Sequence, residues 1–337
     1  MASKDIPPVC QLLQRQSVER YQHWILVGVP VAVAQACSPA AQFWVTDLIS
    51  AEILENRGQQ VHLGVESPSQ AASGVLLFWP KSHALGIWWL QSLCHWLPEG
   101  TPIDIVGEHQ GGIKRVPRVL EEANMSCVRL DNARRCSLFS TQAQARSQPP
   151  EGWSSYAAAG LALSSHSGVF ANHRLDEGTA LLLQQLEQEF AAQFPATAID
   201  VGCGDGIIAA WLAQRGSQVT AVDADAFAVA ATQKSLELNG LDGNVMLSDM
   251  LSGVSGQFDA IVSNPPFHQS RDIDYGPARR MIADAAAHLC RGGKLYIVAN
   301  AFLPYRAQLE ENFERVDTLL EDGRYRIYRA GSPRRKR

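Results

Sequence analysis

Three glycines fall within five residues in the segment IDVGCGDG, residues 199–206, at Gly202, Gly204 and Gly206. Glycine lets a ligand approach the backbone closely, and the N-terminus of a following helix offers unpaired N–H groups to its polar atoms. The spacing is G-x-G-x-G led by Asp200. A dinucleotide fingerprint would be G-x-G-x-x-G/A, and position 207 is Ile. Seventeen residues beyond Gly206, Asp223 closes the next apolar run, where a carboxylate can accept from both hydroxyls of a ribose. Asp225 is the neighbouring alternative, and its place past the end of the run favours Asp223. The second group is Ser263-Asn264-Pro265-Pro266-Phe267-His268. Proline lacks an N–H and stiffens the chain, so the Asn264 amide oxygen and the Pro265 carbonyl can both be aimed at one –NH2 group. Phe267 offers a ring for a planar base, which must leave its helix or loop to reach a pocket. For His268 two roles stay open, a base and a support for the loop.

These groups need elements to hold them. Ala198–Val201 reads as a strand entering the glycine turn, Ile207–Arg215 as a helix, and Gln218–Val222 as a strand. A helix over Ala226–Asn239 ends at Gly240, and a strand over Phe258–Ser263 leads into Asn264. A helix over Pro277–Cys290 closes at Gly292 and Gly293, and Lys294–Ala299 is a strand. Strands alternating with helices predict a parallel sheet covered on both faces. The first half shows the same plan in weaker form: strand Val75–Trp79 before Pro80, helix Ile87–Leu97, strand Ile103–Val106. An arginine-bearing strand follows in both halves, Asn132–Phe139 and Asp322–Tyr328. The reading is an internal duplication whose first copy has lost its glycine loop; chance likeness of two α/β domains is the alternative. Where the second half has Asn264-Pro265-Pro266-Phe267, the first has Phe78-Trp79-Pro80-Lys81, so the amide acceptor is absent.

Polar Ser140–Ser155, with Pro149, Pro150 and Gly152 and no hydrophobic period, predicts the linker. The expected organisation is a first domain over 1–145, a second over 156–331 and a basic tail over 332–337. Composition, 46% apolar and 19% charged, is that of a globular protein. The longest apolar run, Trp24–Ala34, has 11 residues, too few for a membrane span of about 20. The first residues mix charges and prolines unlike a signal peptide. Seven cysteines without close pairs argue against a disulfide framework or a zinc cluster. A cytoplasmic protein without metal or membrane partner is expected. Charge is uneven: residues 1–150 are neutral, while residues 151–323 carry 10 basic and 22 acidic groups, a net of −12. A body that acidic repels nucleic acid. Any attraction must come from the basic tail or from the segment with Lys114, Arg115, Arg118, Arg129, Arg134 and Arg135, unless the latter is an ordinary solvated face.

Together the motifs resemble those of class I S-adenosylmethionine methyltransferases. IDVGCGDG is similar to their motif I. SNPPFH resembles motif IV, (N/D)PP(Y/F), of amino-methyltransferases acting on planar nitrogens. Ser248-Asp249-Met250 sits where such enzymes place an acidic residue beside adenine, so Asp249 would accept from the exocyclic amine and Met250 would pack on the ring; a surface loop is the alternative. Phe170 with Leu175-Asp176-x-Gly178-Thr179 resembles the motif X region, which closes over the methionine end of the cofactor; a helix cap is the alternative. LDxGTxLLL, IDVGCGDG, SNPPFH and VANAFLPY (Val298–Tyr305), behind a degenerate first half, are similar to the small-subunit rRNA (guanine-N2)-methyltransferases of the guanine-1207 type. The resemblance covers essentially the whole chain and is densest from Phe170 to Tyr328.

The resemblance implies an α/β fold of two tandem Rossmann-like methyltransferase domains, each a seven-stranded, mostly parallel sheet flanked by helices, with the N-terminal one degenerate. It implies methyl transfer from S-adenosylmethionine to the N2 amine of one guanine of 16S rRNA in the small ribosomal subunit, by a monomer. Asn264, Pro265, Pro266 and Phe267 would clamp the target. Phe170, Gly178, Thr179, Asp200, Gly202, Cys203, Gly204, Asp205, Gly206, Asp223, Asp249, Met250 and Asn264 would line the cofactor. On the charge balance, Lys114, Arg115, Arg118, Arg134 and Arg135 would meet RNA. Two other readings stand beside it. One is a protein glutamine-amide methyltransferase, whose loop is usually NPPY where position 267 here is Phe. The other is a non-catalytic rRNA-binding assembly factor.

Overall fold

Apolar runs of four to seven residues alternating with helices build two units, residues up to Gly152 and from Trp153 onward, in a computed structural model that describes residues 6–36, 42–70, 72–169, 173–265 and 276–334. The first unit opens with α1 (Pro8–Leu13), β1 (Ile25–Val27), α2 (Val31–Ala36), β2 (Gln42–Val45), α3 (Leu48–Glu55) and β3 (Gln60–Leu63). It continues with β4 (Val75–Phe78), α4 (His83–Trp96), β5 (Pro102–Glu108), α5 (Val116–Glu122), β6 (Val128–Ala133) and β7 (Cys136–Gln142). The second unit begins with a hairpin, β8 (Trp153–Ala158) and β9 (Leu161–His166), then α6 (Glu177–Glu189), β10 (Thr197–Val201), α7 (Ile207–Gln214), β11 (Gln218–Asp223) and α8 (Ala226–Leu238). Next come β12 (Asn244–Leu247), β13 (Phe258–Ser263), α9 (Gly276–His288), β14 (Leu289–Asn300), α10 (Tyr305–Asn312), β15 (Phe313–Glu321) and β16 (Tyr325–Pro333).

Both units hold a seven-stranded sheet of the same order, β3-β2-β1-β4-β5-β7-β6 and β12-β11-β10-β13-β14-β16-β15. In each, five strands are parallel and the penultimate one in the order joins antiparallel to both neighbours. The repeated plan expected from the sequence is therefore a repeated topology. Strand side chains alternate between faces, and in the second unit this sorts the core. Ala198, Val262 and Tyr296 pack with Leu186 of α6 and Trp211 of α7, while Ile199, Val201, Ile261 and Ile297 pack with Met281 and Ile282 of α9.

Four local expectations differ. The arginine-bearing "strands" are hairpins: Arg134 and Arg135 form the turn between β6 and β7, and Asp322–Arg324 the turn between β15 and β16. Gly292 and Gly293 do not cap a helix. They lie within β14, where the ladder to β13 shifts register and a Cβ on Gly293 would sit 2.8 Å from the Phe258 carbonyl oxygen; glycine admits that close approach at an irregular ladder. The connection between units shrinks to 143–152 because β7 and β8 take both ends of the expected linker. The β8–β9 hairpin was not expected; it reverses at Ala159-Gly160 and docks on α8 through Asn239, whose side chain accepts from the Ala162 N–H at 3.0 Å and donates to its carbonyl at 2.7 Å.

Candidate active site

β10 must become α7 within five residues, and three of those five are glycines with left-handed backbones: Gly202 at φ 77°, Gly204 at 57° and Gly206 at 82°. Their side-chain positions differ in kind. A Cβ on Gly202 or Gly204 would meet nothing within 4 Å, whereas one on Gly206 would lie 2.9 Å from Thr232 Cα on α8. Gly206 is a packing glycine, and the first two keep open space above the backbone. Cys203 is buried beneath the loop and takes a contact at 3.1 Å from the Thr232 hydroxyl. Burial raises its thiol pKa well above the ordinary value, so it is no nucleophile.

Carboxylates gather around this space. Asp200 lies on the face of β10 that packs against α6 and α7 and is fully buried. Its Oδ2 accepts from the Ala209 N–H at 3.1 Å, and its Oδ1 has no partner. Burial, with the nearby Asp223 and Asp205 charges, pushes its pKa up to about 8 against the pull of the Ala209 bond. Asp205 is buried too and shifted upward for that reason, opposed by a hydrogen bond from the Tyr156 hydroxyl of β8. Asp223 at the end of β11 accepts from the Gly204 N–H at 3.1 Å and the Asp225 N–H at 3.0 Å. Asp225 instead caps α8 by accepting from Phe227 N–H at 2.8 Å. Beside it, Ser248 N–H donates to the Asp223 carbonyl at 2.9 Å and so places Asp249 and Met250 at the same edge. The Asp249 carboxylate accepts from Arg280 of α9 at 2.8 Å, an engagement the sequence did not suggest.

Asn264 follows β13 and meets the motif X cluster directly. Its Nδ2 lies 3.0 Å from Asp176 Oδ2 and 2.7 Å from Thr179 Oγ1. A carboxylate can only accept, so the atom facing Asp176 is the NH2 and the opposite atom is the carbonyl oxygen. Both N–H groups are consumed, and Oδ1 is left as an oriented acceptor. Asp176 also caps α6 through Thr179 N–H at 3.1 Å. Gly178 lies where a Cβ would crowd Asp176 Oδ2 and the Tyr325 ring at 3.1 Å. The contacts seen for Asp176 and Thr179 are thus with the Asn264 loop, and Gly178 permits close packing. Tyr156, Asp176, Thr179, Gly202, Gly204, Asp205 and Asn264 line one small cavity. Phe170, Pro266, Phe267 and His268 lie outside the described residues. Tyr156 and the anchoring role of Asp176 were missed; the strand alternation in WSSYAAAGLALSSH was the only trace of the former.

The residues present fit S-adenosylmethionine. Open backbone above Gly202 and Gly204, an unpartnered buried carboxylate oxygen and several acidic groups suit a cationic nucleoside. The family models for the methyltransferase small domain and its N-terminal companion match residues 160–329 and 10–156. A ribosomal RNA small subunit methyltransferase C from Chromohalobacter salexigens is 48% identical over 99% of this chain and 100% of its own. The chain belongs to that methyltransferase family. Its relative from Alcanivorax borkumensis, of the same description, is 37% identical over 95% of this chain and 98% of its own. Among solved structures, the Thermus thermophilus 16S rRNA N2 G1207 methyltransferase in complex with AdoMet and guanosine matches with a TM-score of 0.84 at 26% identity, over 97% of this chain and 92% of that one.

Strand register explains why one unit of this family member carries the site. Val27 pairs with Trp44 and Leu77 as Val201 pairs with Val222 and Ser263. Leu26, Val45 and Phe78 therefore stand in the places of Asp200, Asp223 and Asn264, and all three are buried. Gly28, at φ 67°, occupies the place of Gly202, with its N–H on the Trp44 carbonyl at 2.9 Å as that of Gly202 is on Val222 at 2.8 Å. The glycine loop of the first unit is therefore shortened, with its first glycine kept.

Two outcomes follow from this geometry. Gly202→Ala should fold with a loss of about 1–2 kcal/mol from its left-handed backbone and weaken S-adenosylmethionine binding at least tenfold in calorimetry. Gly206→Ala should unfold at clearly lower temperature, since Thr232 Cα cannot yield as a flexible side chain would; equal melting of the two variants would refute the distinction. A cation bound beside Asp200 favours its ionised form and lowers its pKa. Affinity for S-adenosylmethionine should then rise with pH up to about 8 and level off, with a proton released on binding near pH 7. Calorimetry in buffers of different ionisation heat measures that proton, and Asp200→Asn should abolish it.

Proposed function

We propose that this chain methylates the exocyclic N2 amine of a specific guanine in 16S rRNA, acting on the small ribosomal subunit as a monomer in the cytoplasm, where that substrate resides. The observation that carries the reading is Asn264. Its amide NH2 is held by Asp176 and Thr179, and Oδ1 has no partner among the described residues; an oriented neutral acceptor is what a planar –NH2 group requires. When bound, S-adenosylmethionine supplies a methyl group on a sulfonium that a nitrogen lone pair can displace. Asn264 Oδ1 and the Pro265 carbonyl would accept hydrogen bonds from the two amine N–H groups and so turn the lone pair out of the hydrogen-bonding plane; the thioether is the leaving group, and the methylated amine sheds one proton to solvent. An amide is no base, so these residues contribute orientation and exclusion of water. Pro266 stiffens the loop, and Phe267 stacks on the base. Asp200, Asp223 and the Gly202–Gly206 loop hold the cofactor, with Asp249 and Met250 at the adenine and Phe170 at the methionine end.

The first unit, a second seven-stranded sheet rather than a helical recognition module, fits an RNA-directed enzyme better than a glutamine-amide one. We assign RNA contact to Lys114, Arg115, Arg134 and Arg135, which are exposed. Arg118 is a weaker member, since Glu122 Oε1 takes its Nε at 2.8 Å. The basic tail over 332–337 is the other cationic segment.

Labelled methyl should pass to small subunits and neither to release factors nor, at comparable rate, to free rRNA. Label in a glutamine-bearing protein, or in no acceptor, would reverse the assignment. Asn264→Ala should lower kcat on the order of 10²-fold with cofactor affinity little changed. Asp176→Asn should lower kcat as well, because its amide competes for the Asn264 NH2 orientation; full turnover in both variants would remove the loop as the amine clamp.

A further inference from the structure

We propose that the Arg134–Arg135 turn is a rigid docking point for the phosphate backbone of RNA; the proposal rests on the rRNA reading above. Ala133 pairs with Cys136 across β6 and β7, so two residues make the whole reversal. Both have positive φ, 55° and 59°. A two-residue hairpin of the I′ class requires positive φ at both positions, and Asn-Gly or Gly-Gly adopt it without strain. Arginine carries a Cβ that crowds the following carbonyl in that region.

Elsewhere the chain gives such reversals glycine. Ala159-Gly160 turns β8 into β9, and Gly323, at φ 84°, relieves the turn between β15 and β16. That last turn is the topological counterpart of this one, because the two sheets share one strand order. The second unit has glycine in its turn, and the first has two arginines at left-handed positions.

Strained backbone persists where surrounding structure over-determines it, and here it does. The His109 N–H donates to the Arg135 carbonyl at 2.8 Å. The His109 ring lies within hydrogen-bond reach of Asn132 Oδ1 at 3.2 Å and Ser137 Oγ at 3.0 Å, one on each side of the turn. The first bond holds the main chain of the turn and the ring ties together the side chains that flank it, while both arginine side chains stay exposed. Neither guanidinium forms an ion pair with a described residue.

The same corner collects further cations. β5 ends at Glu108 opposite Cys136, and Lys114 and Arg115 stand exposed on the short helical turn that follows. Asp131, close to the turn, is taken by Arg15 at 3.0 Å and Gln16 at 3.1 Å. Glu108, exposed at the end of β5, stands against the four exposed cations Lys114, Arg115, Arg134 and Arg135. Guanidinium forks match phosphate oxygens in pairs, and two held on one rigid turn lose little freedom on binding. With residues 151–323 at a net of −12, such a corner is what a polyanionic substrate would meet favourably.

The test replaces the pair with residues the turn prefers. Arg134→Asn/Arg135→Gly in the full chain should raise Tm by several degrees, since strain is relieved. The same variant should bind small subunits about tenfold or more weakly, with the slope of log affinity against log salt shallower by about 1.5 and S-adenosylmethionine affinity unchanged. Arg134→Lys/Arg135→Lys should keep most of the affinity and the salt slope. A gain in Tm with unchanged subunit binding would overturn the proposal and leave the rRNA reading standing. If the wild-type protein did not bind small subunits at all, the rRNA reading itself would fall and the proposal with it.

Discussion

A strand that has to become a helix within five residues, without placing any side chain above its own backbone, is the constraint on which the second unit is built. Gly202, Gly204 and Gly206 meet it with three left-handed backbones. Everything else in the site is arranged around the volume so left open. β11 brings Asp223 against the Gly204 N–H, α8 presses Thr232 against Gly206, and β13 ends where Asn264 can reach across to Asp176. These strands are parallel neighbours, so their C-terminal ends share one edge. That is why Asp200, Asp223 and Asn264 come to one edge of the sheet although the sequence scatters them.

Burying carboxylates at that edge costs stability in the free protein, and Asp200 shows it most directly. An ionised Asp200 would be destabilising inside an apolar face, so the group holds its proton to about pH 8. A cationic ligand reverses that preference. Stability is given up in the free protein and regained on binding, which fits a site whose ligand carries a permanent positive charge. The first unit makes the opposite choice. Leu26, Val45 and Phe78 replace the three polar groups, Trp79 is buried against Gly86 and Gly107, and the edge becomes core. One topology has thus been used once for a site and once for a scaffold that presents charge.

Asn264 shows how a neutral side chain gains direction. A free asparagine can offer either end of its amide, and only one end suits an amine donor. Asp176 and Thr179 settle the matter by occupying both N–H groups. The helix cap and the orientation of the clamp are therefore one device, since the carboxylate oxygen that caps α6 also receives Asn264.

The sequence by itself determined the glycine loop, the strand-end Asp223, the Asn-Pro-Pro-Phe segment and the alternation of strands with helices, because each is a local pattern with a local physical cause. It also carried the alignment of Phe78-Trp79-Pro80-Lys81 with Asn264-Pro265-Pro266-Phe267, which strand register upholds at the first pair. It did not carry what depends on residues far apart in the chain. The Asn264 contact with Asp176 spans 88 residues, and the Tyr156 contact with Asp205 joins an unexpected hairpin to the loop. Of the two hairpins read as single strands, the one that turns at Asp322-Gly323 did carry a turn signal, and the other failed for a related reason. Arg134-Arg135 has none of the turn-forming residues by which a reversal is recognised, and only pairing with β5 and the hydrogen bonds of His109 force the chain to turn there. Local preference decided the site's parts, and long-range pairing decided which of them met.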